Sequence, residues 1–224
     1  MEEKFFPTRA LFWSFWANII FTFGMIGYFL MDGLDYVYPN TLNSSLSAII
    51  YVILAGVFVI DCTLQLIVVY NIDRNIDRYI FMVVSCIFDK VGSHAYLLGA
   101  LFTATNFTST NTVLIFNRIG VIGFAIGAAI NMIVPGSSIL YSWANSLNLL
   151  GSLLYVLAII IIRVPLTQII VILGDFIYII DAILYMICWF SDRRLAMKQG
   201  EQILLLNKES KTSSSNSEMI RQKK

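Results

Sequence analysis

Apolar runs of about 20 residues recur along nearly the whole chain, and they leave few folds open to it. At a helical rise of about 1.5 Å per residue, such a run spans a hydrocarbon layer about 30 Å thick. The runs cover 10–31, 46–70, 79–104, 113–134, 143–162 and 169–190. They predict an all-α integral membrane protein with about six transmembrane helices. A short leading segment (1–9) precedes the membrane domain (10–190), and a polar, largely disordered tail (191–224) follows it. Composition agrees, because only 13% of residues are charged and the mean hydropathy is +0.77. A soluble domain carries about 25% charged residues to keep its surface wet. Eight of the 15 Lys and Arg lie after Phe190, so the net charge of +1 implies no nucleic-acid partner. The expected partner is the lipid bilayer.

Loop charges give the orientation, since Lys and Arg collect on the cytoplasmic side. Lys4, Arg9, Arg74, Arg78, Arg193, Arg194 and Lys198 fall on one side, and Arg163 alone falls on the other with Asp32 and Asp35. Both termini are therefore expected in the cytoplasm, in an endomembrane or the plasma membrane. The glycosylation sequons at Asn43 and Asn106 fall on the opposite side, in short loops close to the membrane. The first span is too long for the apolar core of a cleaved signal peptide and reads as a signal-anchor.

The chain repeats itself. Trp16-Ala17-Asn18 is followed by Gly24 and Tyr28, and Trp143-Ala144-Asn145 by Gly151 and Tyr155 at the same offsets. Downstream, Ile60-Asp61 precedes Leu64 and Arg74, as Ile180-Asp181 precedes Leu184 and Arg194. The middle segment keeps Gly92 and Tyr96, then has Ile130-Asn131. The spans thus form two or three parallel helical-hairpin repeats (10–70, 79–134 and 143–190), each entering the membrane in the same sense. In the third, Leu149-Leu150-Gly151-Ser152-x-x-Tyr155 with Gly174-Asp175-Phe176-Ile177-x-x-Ile180-Asp181 resembles the YrhK-like membrane domain. That family is a small helical hairpin with a glycine-serine and aromatic pattern in each helix. The first hairpin matches less well, and Asp181 stands where the family favours a second Gly-Ser. The resemblance implies the hairpin architecture and carries no activity.

Ionisable side chains inside a bilayer cost several kcal/mol (about 3 by insertion scales) and mark functional sites by default. Counted from the expected cytoplasmic ends, Asp61, Lys90 and Asp181 lie within about 3 Å of one depth near the midplane. An Asp–Lys–Asp cluster is expected there, with Asp89, His94 and Asn18 close by. Its carboxylates outnumber its ammonium, so a proton, a cation or water would have to balance it. Two readings follow: a small proton or cation transporter or channel along this seam, or a non-transporting scaffold or accessory subunit whose charges lock the hairpins together.

Other signals are blander. Cys62, Cys86 and Cys188 all fall in spans, as buried thiols rather than disulfides, and one histidine leaves little scope for a metal site. No cofactor is expected. Adjacent residues on a helix point about 100° apart, so Gly92-Ser93-His94 makes no nucleophile–base pair and no enzyme is expected. Gly120, Gly123 and Gly127 form a small-residue stripe suited to internal helix packing or to a homo-oligomer. Trp13, Trp16, Tyr36, Tyr38, Trp143 and Trp189 read as an interfacial belt. In the tail, Glu201 with Leu205 and Leu206 has the form of an acidic dileucine signal that would engage sorting adaptors.

Overall fold

The computed structural model of the protein describes residues 8–39, 41–72, 78–133, 138–161 and 163–221, with side chains from Arg9 to Gly200 and that of Gln202. They form six helices: α1 (Thr8–Val37), α2 (Ser44–Tyr70), α3 (Tyr79–Thr105), α4 (Thr110–Ile133), α5 (Ile139–Ile160) and α6 (Val164–Arg221). All six are long and apolar enough to cross a membrane. Local chemistry sets their ends. Asn43 accepts from the Ser45 amide and Ser138 from the Tyr141 amide, each capping a helix start. Asn106 closes α3 in the left-handed region (φ 51°), which asparagine tolerates. Pro39 follows the end of α1, and Pro165 sits in the first turn of α6, where its missing N–H costs nothing.

Each helix packs against its two neighbours in sequence, and α6 returns to α1. Among the described residues no pair across the middle approaches as closely, so the helices form a closed ring of three parallel hairpins. The repeated glycines explain the hairpins. Gly24 faces Val57 and Phe58 of α2, Gly92 faces Gly120 and Gly123 of α4, and Gly151 faces the ring of Tyr178 of α6. At Gly24 and Gly151 a side chain would press on its neighbour, and at Gly92 it would meet backbone. The middle hairpin is tightest: a Cβ on Gly92 would come within 2.9 Å of the Gly120 carbonyl oxygen. The Gly120–Gly127 stripe is therefore taken up inside the chain, against α3.

Three features differ from the sequence expectation. Asp32 and Asp35, expected in a loop, lie on α1, where the hydroxyl of Tyr51 engages both carboxylates. Trp189 is buried rather than part of an interfacial belt, and its indole N–H donates to the Leu11 carbonyl at 2.7 Å. The backbone of α6 continues unbroken to Arg221, through the segment expected to be largely disordered. Glu201, Leu205 and Leu206 lie on that extension, and their side chains are outside the described ones.

Overpacking a well-filled contact costs about 1–3 kcal/mol. Gly92→Ala is expected to destabilise the protein by that order, read as a lower melting temperature in detergent, because its obstacle is backbone that cannot rotate away. Gly33→Ala, whose Cβ would meet nothing within 4 Å, should leave it unchanged or slightly raised.

Candidate functional site

The ring turns its polar residues inward. Asp61, Asp175, Asp181, Ser85, Ser93 and Ser152 are all at most 2% exposed, while isoleucines, leucines and phenylalanines dominate the outer surface. This is the reverse of a soluble core and suits a hydrocarbon surround.

The expected Asp–Lys–Asp cluster does not form. Lys90 Nζ donates to the Thr63 hydroxyl and, at 3.3 Å, to the Val59 carbonyl, both on α2. Among the described residues no group of three acid, His or Cys side chains could hold a metal ion, and Lys90 makes no ion pair. The cause is direction rather than depth. Lys90 leaves the flank of α3 that faces α2, whereas Asp181 sits on α6, which does not touch α3. Asp61 is held along its own helix by Gln65 Nε2 at 2.8 Å. Asp89 points the other way, against Gly127 of α4, and accepts from Ser85 at 3.4 Å. His94 is exposed, and its Nδ1 lies 2.7 Å from the Lys90 carbonyl. Ser93 donates to that same carbonyl at 3.0 Å, so the two side chains turn to backbone rather than to each other. Asn18 reaches the Tyr185 carbonyl at 3.5 Å, far from any ammonium. A proton or cation path through an Asp–Lys–Asp seam is therefore excluded as read.

What does converge is a cluster of phenols and carboxyls in the half of the ring away from the chain termini. The three repeat tyrosines, Tyr28, Tyr96 and Tyr155, turn towards one another, with the rings of Tyr28 and Tyr96 centred 6.0 Å apart. The ring of Tyr51 of α2 is centred 5.8 Å from that of Tyr28, tilted by 43°. Tyr51 OH lies 2.5 Å from Asp32 and 3.1 Å from Asp35, so one hydrogen serves two carboxylates. Tyr155 donates to one oxygen of Asp175, and the carboxyls of Asp32 and Asp175 lie close enough to share a hydrogen. Tyr28 OH is buried without a hydrogen-bond partner, and Asp175 Oδ2 has none apart from the Asp32 carboxyl. Buried polar groups are overwhelmingly paired, so such atoms mark a place that engages something further.

A second polar layer lies about 9 Å along the axis, six residues further down α6. Oδ1 of Asp61 is buried there without a partner, and the buried carboxyl of Asp181 has only the Asn148 side chain beside it. Around this layer the helices are tied laterally. Tyr185 OH donates to Asn145 at 2.6 Å, Asn145 donates to the Asn131 carbonyl at 3.1 Å, and Ser152 and Tyr178 share a hydrogen at 2.6 Å.

Sequence reasoning singled out Asp61 and Asp181 and noted the tyrosines only as repeat markers. The functional weight of Tyr28, Tyr96, Tyr155 and Asp32 was missed. The available signal was their regular spacing, Gly followed by Tyr four residues on, in every hairpin. Asn43 and Asn106 are both exposed, between α1 and α2 and between α3 and α4, on the side opposite the termini. No family model, curated protein or solved structure matches the chain.

Removing one partner from a buried hydrogen bond costs about 1–3 kcal/mol, because the remaining group loses its solvation without compensation. Tyr155→Phe would take from Asp175 its phenol donor and should destabilise the protein by that amount in a detergent unfolding series. Ser146→Ala, which loses only exposed bonds to the Ser142 carbonyl and the Met132 sulfur, is the control expected to show no loss.

Proposed function

We propose that the protein is a membrane-embedded binding protein for a small molecule rich in hydrogen-bond donors, of the hydroxylated or amine-bearing class. The observation that carries this reading is the unpartnered buried hydroxyl of Tyr28 in one cluster with the paired carboxyls of Asp32 and Asp175, which no donor but a shared hydrogen and the phenols of Tyr51 and Tyr155 serves. A site built from carboxyls and phenols presents acceptors in excess of donors. Among the described residues, the surroundings of Asp32 and Asp175 contain no Lys, Arg or His contribution. An anionic or purely acceptor ligand would meet repulsion there, and an apolar one would leave the acceptors unsatisfied. A donor-bearing ligand completes them. Five elements of the ring (α1, α2, α3, α5 and α6) supply residues to the site, so occupancy would brace the whole assembly.

The experiment is a thermal-unfolding screen of the purified protein in nanodiscs against polyols, monosaccharides, amino alcohols and short diamines. A ligand that binds only the folded state adds about 2.7 kcal/mol at a hundredfold excess over its dissociation constant. At least one class should raise the melting temperature of the wild type. Asp175→Leu and Tyr28→Phe should lose that rise, while Gly33→Ala should keep it. A screen without any shift, or shifts that persist in Asp175→Leu, would refute the reading.

The loop charges support a finer placement, with both termini in the cytoplasm. Cys62, Cys86 and Cys188 are buried, so a cysteine introduced at an exposed loop position reports its own side. Asn43→Cys should react with a membrane-impermeant maleimide added to intact cells, or, for an endomembrane protein, only after the lumenal face is opened. Labelling from the cytoplasmic side would reverse the orientation.

A further inference from the structure

Independently of the axial site, we infer that the outward face of α3 around Lys90 and His94 docks a transmembrane helix of another protein that carries a carboxylate at mid-membrane depth. Lys90 is eleven residues along α3 from Tyr79, about 16 Å, and α3 runs on for about 22 Å beyond it. A headgroup at either surface is therefore far away. An ammonium at this depth pairs with an acid or with backbone carbonyls. Here it rests on a hydroxyl and a backbone carbonyl of α2, neither of which carries a balancing charge.

One turn on, His94 is exposed among Ile87, Val91 and Leu98, on the stripe that otherwise meets lipid. A carbonyl can only accept, so the contact with the Lys90 carbonyl assigns the hydrogen to Nδ1. Nε2 is then left facing outward, free to accept or, when the ring is charged, to donate. A half-buried ammonium at the α2 edge of a lipid-facing stripe, with an exposed imidazole one turn on, is complementary to one carboxylate. Among the described residues, no span carboxylate of a second copy of this chain stands free at an outer face to fill this role. Asp61, Asp175 and Asp181 are buried inside the ring, and the other span carboxylates lie within hydrogen-bond distance of Tyr51, Ser85 or Tyr141. The acid must therefore come from a different protein.

The test uses the full-length protein in nanodiscs and a synthetic leucine-rich transmembrane peptide with one central Glu, compared with the same peptide carrying Gln. Association is read by fluorescence energy transfer from peptide to protein. The Glu peptide should associate at least about tenfold more tightly than the Gln peptide, as expected of a desolvated charge pair. Lys90→Met should abolish the preference, and Lys90→Arg should keep it. Equal association of the two peptides, association of neither, or a preference that survives Lys90→Met would each overturn the inference. So would efficient cross-linking of His94→Cys between two copies of the chain, which would make this face a self-interface. The Glu-against-Gln comparison on the wild type decides the matter even if Lys90→Met fails to fold.

Discussion

The seam between α6 and α1 is the contact on which the rest of the ring depends. Five of the six helix–helix contacts join neighbours in sequence, and short connections would bring those helices together in many geometries. Only the return of α6 to α1 turns a row of hairpins into a closed ring. In lipid this closure has no hydrophobic driving force of its own, so packing and hydrogen bonds must supply it. The buried indole of Trp189 donates to the Leu11 carbonyl, Phe15 lies 4.7 Å from the Trp189 ring, and Asn18 reaches the Tyr185 carbonyl. Because the seam is fixed, Asp175 of α6 and Asp32 of α1 are held within reach of each other. An open row would place them at opposite ends.

Threefold repetition organises the interior, and its one clear breach is informative. Asp61 and Asp181 occupy matching positions in the first and third hairpins, and Asn131 stands at the corresponding place in the second. The backbones of α3 and α4 approach so closely that glycine is required at 92, 120 and 123. Asp89 belongs to α3, the other helix of that hairpin, and its carboxyl fills the space beside Gly127 of α4. The middle hairpin thus contributes its acid from the odd-numbered helix, and small residues on the even-numbered one make room for it. Close backbone approach and a displaced carboxylate are two sides of one packing solution.

Length and hydropathy made the six spans legible, because the bilayer sets a minimum run that soluble helices rarely meet. The hairpin repeat was legible too, since Gly24, Gly92 and Gly151 each face the second helix of their own hairpin. Position along a helix could be counted, and Asp61 and Asp181 are both buried in the interior. Direction around the helix could not. A step of one residue turns a side chain by about 100°, so Asp89 and Lys90 point to different neighbours although they share a depth. Which neighbour each meets depends on ring order, and the closure that sets it rests on scattered contacts of α1 with α6, among them the Trp189 indole, the Asn18 amide and aromatic pairs, rather than on a sequence pattern. Asp32 illustrates the same limit from another side. A carboxylate near the end of an apolar run reads as loop until its partner, Tyr51 on the next helix, is known.

This division of direction separates the chemistry of the two faces of the ring. Acids and phenols turn to the axis, where they outnumber the donors around them and leave Oδ1 of Asp61 and the hydroxyl of Tyr28 without a partner. Lys90 turns away from that axis, although an ammonium placed among those acids would gain several kcal/mol of attraction at short range (about 4 at an effective dielectric of 20). A sequence under pressure only to fold would be expected to take that gain. Keeping Lys90 on α2 and His94 beside it at the outer surface preserves two distinct surfaces instead, an acceptor-rich interior and a donor-bearing flank. Any structural role assigned to the buried charges must therefore explain why the one amine in the spans is withheld from them. A ligand on the axis and a carboxylate on the flank each account for one half of that separation.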